Sequence, residues 1–401
     1  MSSTSTTPGR AGDARPPGPE RGRGFRPDVE GLRAVAIVLV LLFTAGVPAF
    51  GSGFTGVDVF FVISGYLITG LLVREVEATG TVSLAAFYAR RARRILPSAY
   101  TVLLVVLLVT VVVAGAAQQR AVARDVLAAA LQAANLWFLT FDVTTVAPAV
   151  AESPVLHYWS LAVEEQFYLV WPLVVLGVAA LAARRGRDVR RSLVVAIVTL
   201  SLVSGVLYLW WSSSAFQASY FASPARAWQL GAGALVALLG PALRRLDERT
   251  GGRVLARLLA GAGVVALLLV PVGNAVGVFA AAAAATAGAA AVIAAGGLAG
   301  GPRTLVARLL SLRPVRFVGR LSFTWYLWHV PLVVAFERSG VTSWPVLLGA
   351  ELLAAVPALL TMRFVEEPLR GAPRLRSPRA GLLFGAAGAV VVAAPALALG
   401  L

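Results

Sequence analysis

The sequence predicts an all-α, polytopic bundle of membrane-spanning helices, and three observations predict it. Of the 401 residues, 58% are hydrophobic and only 13% are charged, whereas a soluble domain is about half apolar and about a quarter charged. That balance leaves too little polar surface to face water on every side. The apolar residues also fall into runs of ~20, the length that crosses a bilayer as a helix. Finally, the 35 basic residues outnumber 19 acidic ones. All are arginine, and most sit in short connections between the runs.

Taken in order, residues 1–26 are rich in Ser, Thr, Pro, Gly and Arg and are expected to form a disordered cytoplasmic tail. No cleavable signal is expected, because the first apolar core comes too late. Spans are predicted near 33–50, 56–73, 97–116, 160–182, 192–211, 223–240, 256–271, 275–299, 321–337, 344–363 and 380–400. The Ala/Gly-rich run within 275–300 reads as a helix that packs closely against its neighbours, since small residues let helices approach. One apolar stretch, 126–141, is left over.

Loop charge orients these spans. The connections 74–94, 184–191, 244–257, 303–320 and 370–379 are rich in arginine, whereas 212–222, 271–275 and 338–343 carry almost none. Arginine-rich loops stay on the cytoplasmic side. A cytoplasmic N-terminus and eleven spans satisfy all five, with the C-terminus outside. A full crossing by 126–141 would invert the bias, so that stretch is expected to be re-entrant or to lie on the outer side. The expected organisation is a tail (1–26), a membrane domain of about ten core spans (27–370), and a loop with a final outward span (371–401). This describes a multi-pass protein of the cell (inner or plasma) membrane. Arginine confined to loops suits that reading better than nucleic-acid binding.

Chemistry is restricted by what is missing. Without cysteine there is no thiol nucleophile, disulfide or thiolate metal site. No phosphate loop, dinucleotide glycine pattern or metal-spaced cluster occurs, so no metal is expected. Charges inside spans are costly and therefore candidates. Arg33 begins the first span and reads either as a channel residue or as a snorkelling anchor. Asp58, at the outer end of the second span, reads as a site residue or a helix-dipole partner.

The segment SPVLHYWSLAVEEQFYLVWP places His157, Trp159, Ser160, Glu164, Glu165 and Tyr168 at the expected outer entrance of the fourth span. A carboxylate one or two turns beyond His157 is positioned to orient its imidazole; an aromatic belt facing the interface is the plainer reading. His329 lies ~12 Å into its span at 1.5 Å per residue, as a functional or merely packed histidine. Glu351 falls mid-span and needs a partner, with Arg226 and Arg363 as candidates. Arg90, Arg91, Arg93 and Arg94 form a cluster that reads as a phosphate site, a topology signal or a contact for anionic lipid.

Several blocks, in order, resemble the membrane-bound acyltransferase family 3: RPDVEGLRAVAIVLVLLFTAG, GVDVFFVISGYLITGLL, FYARRARRILP, HYWSLAVEEQFYLVWPL, RAWQLGAGALVAL, LSFTWYLWHVPLVV and RFVEEPLR. They span residues 26 to 370. The resemblance implies ten core spans and an O-acyltransferase, moving an acyl group (usually acetyl, from acetyl-CoA or another acyl-CoA) from the cytoplasm to a hydroxyl acceptor outside, such as a cell-envelope glycan. It implies that Arg90, Arg91, Arg93 and Arg94 hold the donor phosphates. Arg33 and position 44 would then mark the reaction channel. Asp58, Glu164, Glu165 and His329 would serve orientation, proton transfer or acceptor binding, with His157, Trp159 and Ser160 on the acceptor side.

Two positions depart from the family pattern. The first-span signature is an arginine, ten residues and a histidine; Arg33 matches, but the histidine position is Thr44. A threonine hydroxyl cannot act as a base at neutral pH, and general-base catalysis is worth about 10²–10⁴-fold. Gln229 stands where the family usually has an acid. Many relatives continue beyond the final span into an SGNH-type domain, so the expectations here are a stand-alone member, a truncated one, or one that hands its acyl group to a separate SGNH-type partner. The alternatives are a catalytically impaired member that binds donor or scaffolds an envelope complex, and, third, a secondary transporter suggested by Glu351.

Overall fold

The computed structural model describes residues 25–140, 153–249, 254–270 and 277–400. Among them every regular element is helical, and seven helices are long and apolar enough to cross a membrane. The remaining predicted spans correspond to helices that carry charge into the bundle or, in one case, to a helix of 16 residues. Most of the expected N-terminal tail and the expected connection 271–275 lie outside the described residues. Arg26, assigned to that tail, is instead fixed: it pairs with Asp28 and donates to Tyr66 Oη and the Ile293 carbonyl, at 2.6, 3.1 and 2.8 Å.

Helix α1 (Pro27–Thr44) starts with proline in its first turn, followed by Asp28 and Glu30, where the helix dipole favours acids. It ends six residues before the predicted boundary, in two short 3₁₀ turns, Pro48–Phe50 and Gly53–Thr55. Helix α2 (Gly56–Thr79) stops at Gly80, whose φ of 74° is a left-handed cap. Helix α3 (Leu84–Val113) begins thirteen residues before the predicted span, so the arginine cluster at 90–94 is helical rather than a loop.

The left-over apolar stretch is not one long helix. Helix α4 (Ala116–Ala130) turns back along α3, reaching a depth where Tyr100 Oη donates to the Ala130 carbonyl at 3.4 Å. The chain then reverses at Gln132, with φ 55°, into the short α5 (Ala134–Phe138). Gln166 holds the turn by donating to the Gln132 carbonyl and Asn135 Oδ1 at 3.1 and 2.8 Å. The result is a helical hairpin instead of a single crossing helix, as a re-entrant or an outer-side stretch would both require, with its turn held by protein.

Helices α6 (Tyr158–Arg184), α7 (Val189–Ser214), α8 (Phe216–Phe221), α9 (Ser223–Arg249), α10 (Val254–Leu269) and α11 (Val278–Gly296) follow. After the short α12 (Leu305–Leu310) come α13 (Arg313–Arg338), α14 (Trp344–Leu353) and α15 (Ala355–Thr361). One π-helical turn (Met362–Glu366) leads into α16 (Glu367–Gly371), and α17 (Pro378–Gly400) ends the chain. The predicted span 344–363 is thus broken at Ala354 and widened by the π turn.

Register fixes the architecture. Helices α2 and α9 run in the same direction, with Asp58 beside Arg226 and Gly70 beside Ala237, and they cross backbone against backbone where Gly65 faces the Leu230 carbonyl and Gly233 faces that of Val62. Any side chain at either position would strike that carbonyl. Helices α1 and α13 are also parallel, with Arg316 on Glu30 and Arg33 on Ser322. Helix α6 runs against α3: Tyr88 Oη donates to the Leu169 carbonyl at 2.7 Å and Tyr158 Oη to that of Ala99 at 2.8 Å. These pairings put most basic residues at one end of the bundle.

Candidate active site

Helices α1, α2, α3, α6 and α13, with the π turn, enclose a cavity of about 250 Å³. A wider cavity of about 630 Å³ adjoins it at the arginine-rich end, and Glu30, Arg33, Leu67 and Arg94 line both. The wider one is strongly cationic: Arg26, Arg33, Arg74, Arg94, Arg190 and Arg244 face two carboxylates, Glu30 and Glu77. Arg33 donates from Nε to Ser322 Oγ at 3.2 Å, and Arg94 has no ion-pair partner among the described residues. Charge that the protein leaves uncompensated in a concave space suits an anion.

The predicted four-arginine clamp does not form as a unit, because successive residues of a helix point about 100° apart. Arg90 is exposed and lies 3.7 Å from Glu75. Arg93 turns away to the Leu375 carbonyl at 2.8 Å. Only Arg91 and Arg94 reach a cavity, and Arg91 is engaged, with its guanidinium 3.7 Å above the Tyr168 ring and 3.9 Å from both Glu164 and Glu165.

The narrower cavity has a polar wall. Glu164 accepts hydrogen bonds from the hydroxyls of Ser64 and Tyr168. Glu366, placed by the π turn, accepts from Thr324 Oγ1 at 2.9 Å and Ser98 Oγ at 3.3 Å. Further along, Ser160 Oγ lies 2.7 Å from Tyr326 Oη, and both hydroxyls reach the His157 carbonyl oxygen, at 3.2 and 3.0 Å.

Behind these hydroxyls two histidines meet. The expected position of His157 at an outer entrance is corrected: it is buried beside the middle of α13, its ring 5.2 Å from that of His329. Nor does a carboxylate orient it. His157 Nε2–H donates to the Leu327 carbonyl at 3.0 Å. That carbonyl is free because the residue four positions on is Pro331, which has no N–H to close the helical bond. Donation from Nε2 leaves Nδ1 as the basic nitrogen, and it has no partner among the described residues. His329 is held the opposite way, donating from Nδ1 to the Tyr326 carbonyl, which leaves Nε2 basic.

Four further candidates lie elsewhere. Asp58 is fully buried between α2 and α9, 3.4 Å from Arg226 and accepting from Gln229 Nε2 at 3.2 Å. It lines neither cavity. Arg226 sits among the rings of Trp159, Tyr208 and Tyr220 at 5.3, 5.3 and 5.1 Å, so Trp159 belongs to this cluster. Thr44 ends α1, a helical rise of about 16 Å beyond Arg33, and lines neither cavity. Glu351 is buried with neither carboxyl oxygen hydrogen-bonded among the described residues. Its expected partners are taken: Arg226 by Asp58, and Arg363 by Glu367 at 3.4 Å.

The sequence reading missed Ser64, Tyr326 and Glu366 as cavity residues, and Arg26, Arg74, Arg190 and Arg244 as a converging set. Glu366 had a signal, an acid pair before proline that follows an apolar run. The arginines had none, since they come from four separate segments.

A family-wide profile described as an acyltransferase domain matches residues 26–364, from α1 into the π turn. The chain belongs to this acyltransferase family. It is 31% identical to the O-acetyltransferase OatA of Staphylococcus aureus (strain NCTC 8325 / PS 47), over 86% of this chain and 57% of that protein. It is 29% identical to the peptidoglycan O-acetyltransferase OatA of Listeria monocytogenes, over 87% of this chain and 56% of that one. The chain therefore spans somewhat more than half the length of these relatives. No solved structure matches it. Both cavities of this acyltransferase-family chain are built almost wholly from the matched residues; of the polar wall, only Glu366, Glu367 and Arg370 fall beyond them.

Proposed function

We propose that the chain is a membrane O-acyltransferase that carries an acyl group, typically acetyl, from acyl-CoA to a hydroxyl of an envelope glycan on the far side of the membrane. The Listeria relative, named a peptidoglycan O-acetyltransferase, supports the acceptor class. The observation that carries the reading is the junction of the two cavities at Arg33 and Arg94. In this reading the arginine-rich end is cytoplasmic, and the polar end of the donor lodges in the wider cavity, where guanidinium groups bind phosphate in bidentate fashion. Its acyl thioester extends past Arg33 into the narrower cavity.

There the wall supplies the parts of acyl transfer. Ser160 and Tyr326, whose hydroxyls point to the His157 carbonyl in this structure, turn a hydrogen toward the thioester carbonyl oxygen as it gains negative charge. A hydroxyl attacks the thioester carbon, the C–S bond breaks, and coenzyme A leaves as the thiol after taking up a proton. The attacking hydroxyl gives its proton to a histidine, with His329 Nε2 and His157 Nδ1 as the two basic nitrogens nearest these hydroxyls. Glu164 and Glu165 hold Arg91 and Tyr168 in place. The histidine pair supplies a base that Thr44 cannot.

The test is thiol release from acetyl-CoA by the full chain in lipid vesicles. Turnover is expected, with Arg33→Ala and Arg94→Ala raising the donor KM and His329→Gln lowering kcat. Unchanged kinetics in the arginine variants would overturn the donor site. A second reading, an impaired member that binds donor without turning it over, is favoured by Thr44. Donor binding without turnover, with turnover appearing in Thr44→His, would establish it instead.

A further inference from the structure

A second basic feature lies outside both cavities, at the hairpin between α6 and α7. The segment RRGRDVRR (184–191) divides its arginines between two faces. Arg190 turns inward, paired with Glu77 at 2.9 Å and donating to the Leu238 carbonyl at 3.0 Å, and it lines the wider cavity. Arg185, Arg187 and Arg191 turn outward, are exposed, and have no ion-pair partner among the described residues. The acid among them, Asp188, is occupied as a helix cap, accepting from the Arg191 N–H at 2.6 Å.

These three arginines rim a groove of about 630 Å³ between the facing ends of α6 and α7. Its floor is apolar, from Val178, Leu181, Ala182, Val195 and Ala196. Leu181 and Val195 are 47% and 60% exposed on helices apolar enough to cross a membrane, so hydrocarbon rather than water is their natural neighbour. Cations over an apolar slot, at the level where a span becomes a loop, match one chemistry: an anionic headgroup joined to an acyl chain.

We propose that this groove binds an anionic phospholipid, with its phosphate against Arg185, Arg187 and Arg191 and one acyl chain along Leu181 and Val195. A soluble anion would meet the arginines but leave the floor uncovered; a zwitterionic lipid would cover the floor but bring its own cation to the rim.

Native mass spectrometry of the full chain, titrated with phosphatidylglycerol or phosphatidylcholine of identical acyl chains, tests this. Phosphatidylglycerol is expected to bind more tightly. Arg185→Gln, Arg187→Gln and Arg191→Gln are each expected to weaken it by about fivefold, while Arg374→Gln leaves it unchanged. Leu181→Gln keeps every charge and is expected to weaken both lipids, which tests the apolar floor even if one of the arginine variants fails to fold. Equal affinity for the two lipids, indifference to the three arginines, or displacement of phosphatidylglycerol by millimolar inorganic phosphate would each overturn the proposal. None of these readouts depends on acyl transfer, so the groove and the active-site reading fail separately.

Discussion

Two polar regions are buried in the same helices, and they are built on opposite terms. Around Asp58 the charges match: one carboxylate, one guanidinium and one neutral amide, sealed by the rings of Trp159, Tyr208 and Tyr220. Around Arg33 they do not: of six arginines lining the wider cavity, Arg26 and Arg190 are paired with Asp28 and Glu77, whereas Arg33, Arg74, Arg94 and Arg244 have no ion-pair partner among the described residues. The residue types are the same. What separates a strut from a site is whether the protein supplies the counter-charge itself or leaves room for another molecule to bring it. Gln229 illustrates the point, because an acid there would give Arg226 two carboxylates and unbalance the sealed cluster.

The comparison breaks first at Arg226. Arg226→Ala strands a buried carboxylate, which typically costs about 3–5 kcal/mol. A large fall in the thermal midpoint of the detergent-solubilised protein is expected, partly recovered in Asp58→Ala/Arg226→Ala. A stable Arg226→Ala protein with weakened donor binding would move this cluster into the active site. Next in size, Arg33→Ala/Arg94→Ala is expected to leave the thermal midpoint nearly unchanged. It should weaken acyl-CoA binding by about 1.5–3 kcal/mol per lost charged contact, read by calorimetric titration. The opposite pattern, lost stability with intact binding, would make the cavity arginines structural.

Smaller effects sharpen the contrast. Pro331→Ala restores an N–H that competes with His157 for the Leu327 carbonyl, a contest worth about 0.5–1.5 kcal/mol. A lower kcat with unchanged donor KM is expected, because the substitution disturbs a positioning residue and not the donor site. Arg90→Ala removes only a partly exposed pair with Glu75, and such pairs contribute about 0–1 kcal/mol. Stability and donor affinity should both stay close to those of the unaltered chain. A tenfold loss of affinity would restore the four-arginine clamp.

Much of the molecule was legible before any coordinates. Span-length apolar runs located the long helices because a backbone in hydrocarbon must satisfy its own hydrogen bonds. Loop charge argued that the leftover stretch at 126–141 is re-entrant or lies on the outer side and not a full crossing, and it folds as two short helices, the first beginning at Ala116. Boundaries were less legible: α1 and α3 start earlier than their apolar cores, since both open with charged turns that water or protein can hold. At the site, Arg33, Arg94, Ser160, Glu164 and His329 carried usable signals as polar groups among apolar ones. The partners of Asp58 and the depth of His157 carried none. Arg226 lies far from Asp58 in sequence, and nothing local says that the start of α6 sits beside the middle of α13.

By itself, then, the order of residues decided that this chain is a bundle of apolar helices with its arginines gathered toward one end, because desolvating backbone and charge is too costly for any other arrangement. Which arginines converge, which acid is sealed and which histidine nitrogens are left basic was decided only by tertiary structure. Those outcomes depend on helix register and direction, set by contacts such as Gly65 on Leu230 and Gly233 on Val62 and by the missing N–H of Pro331, and contacts between distant segments leave no periodic trace along the chain.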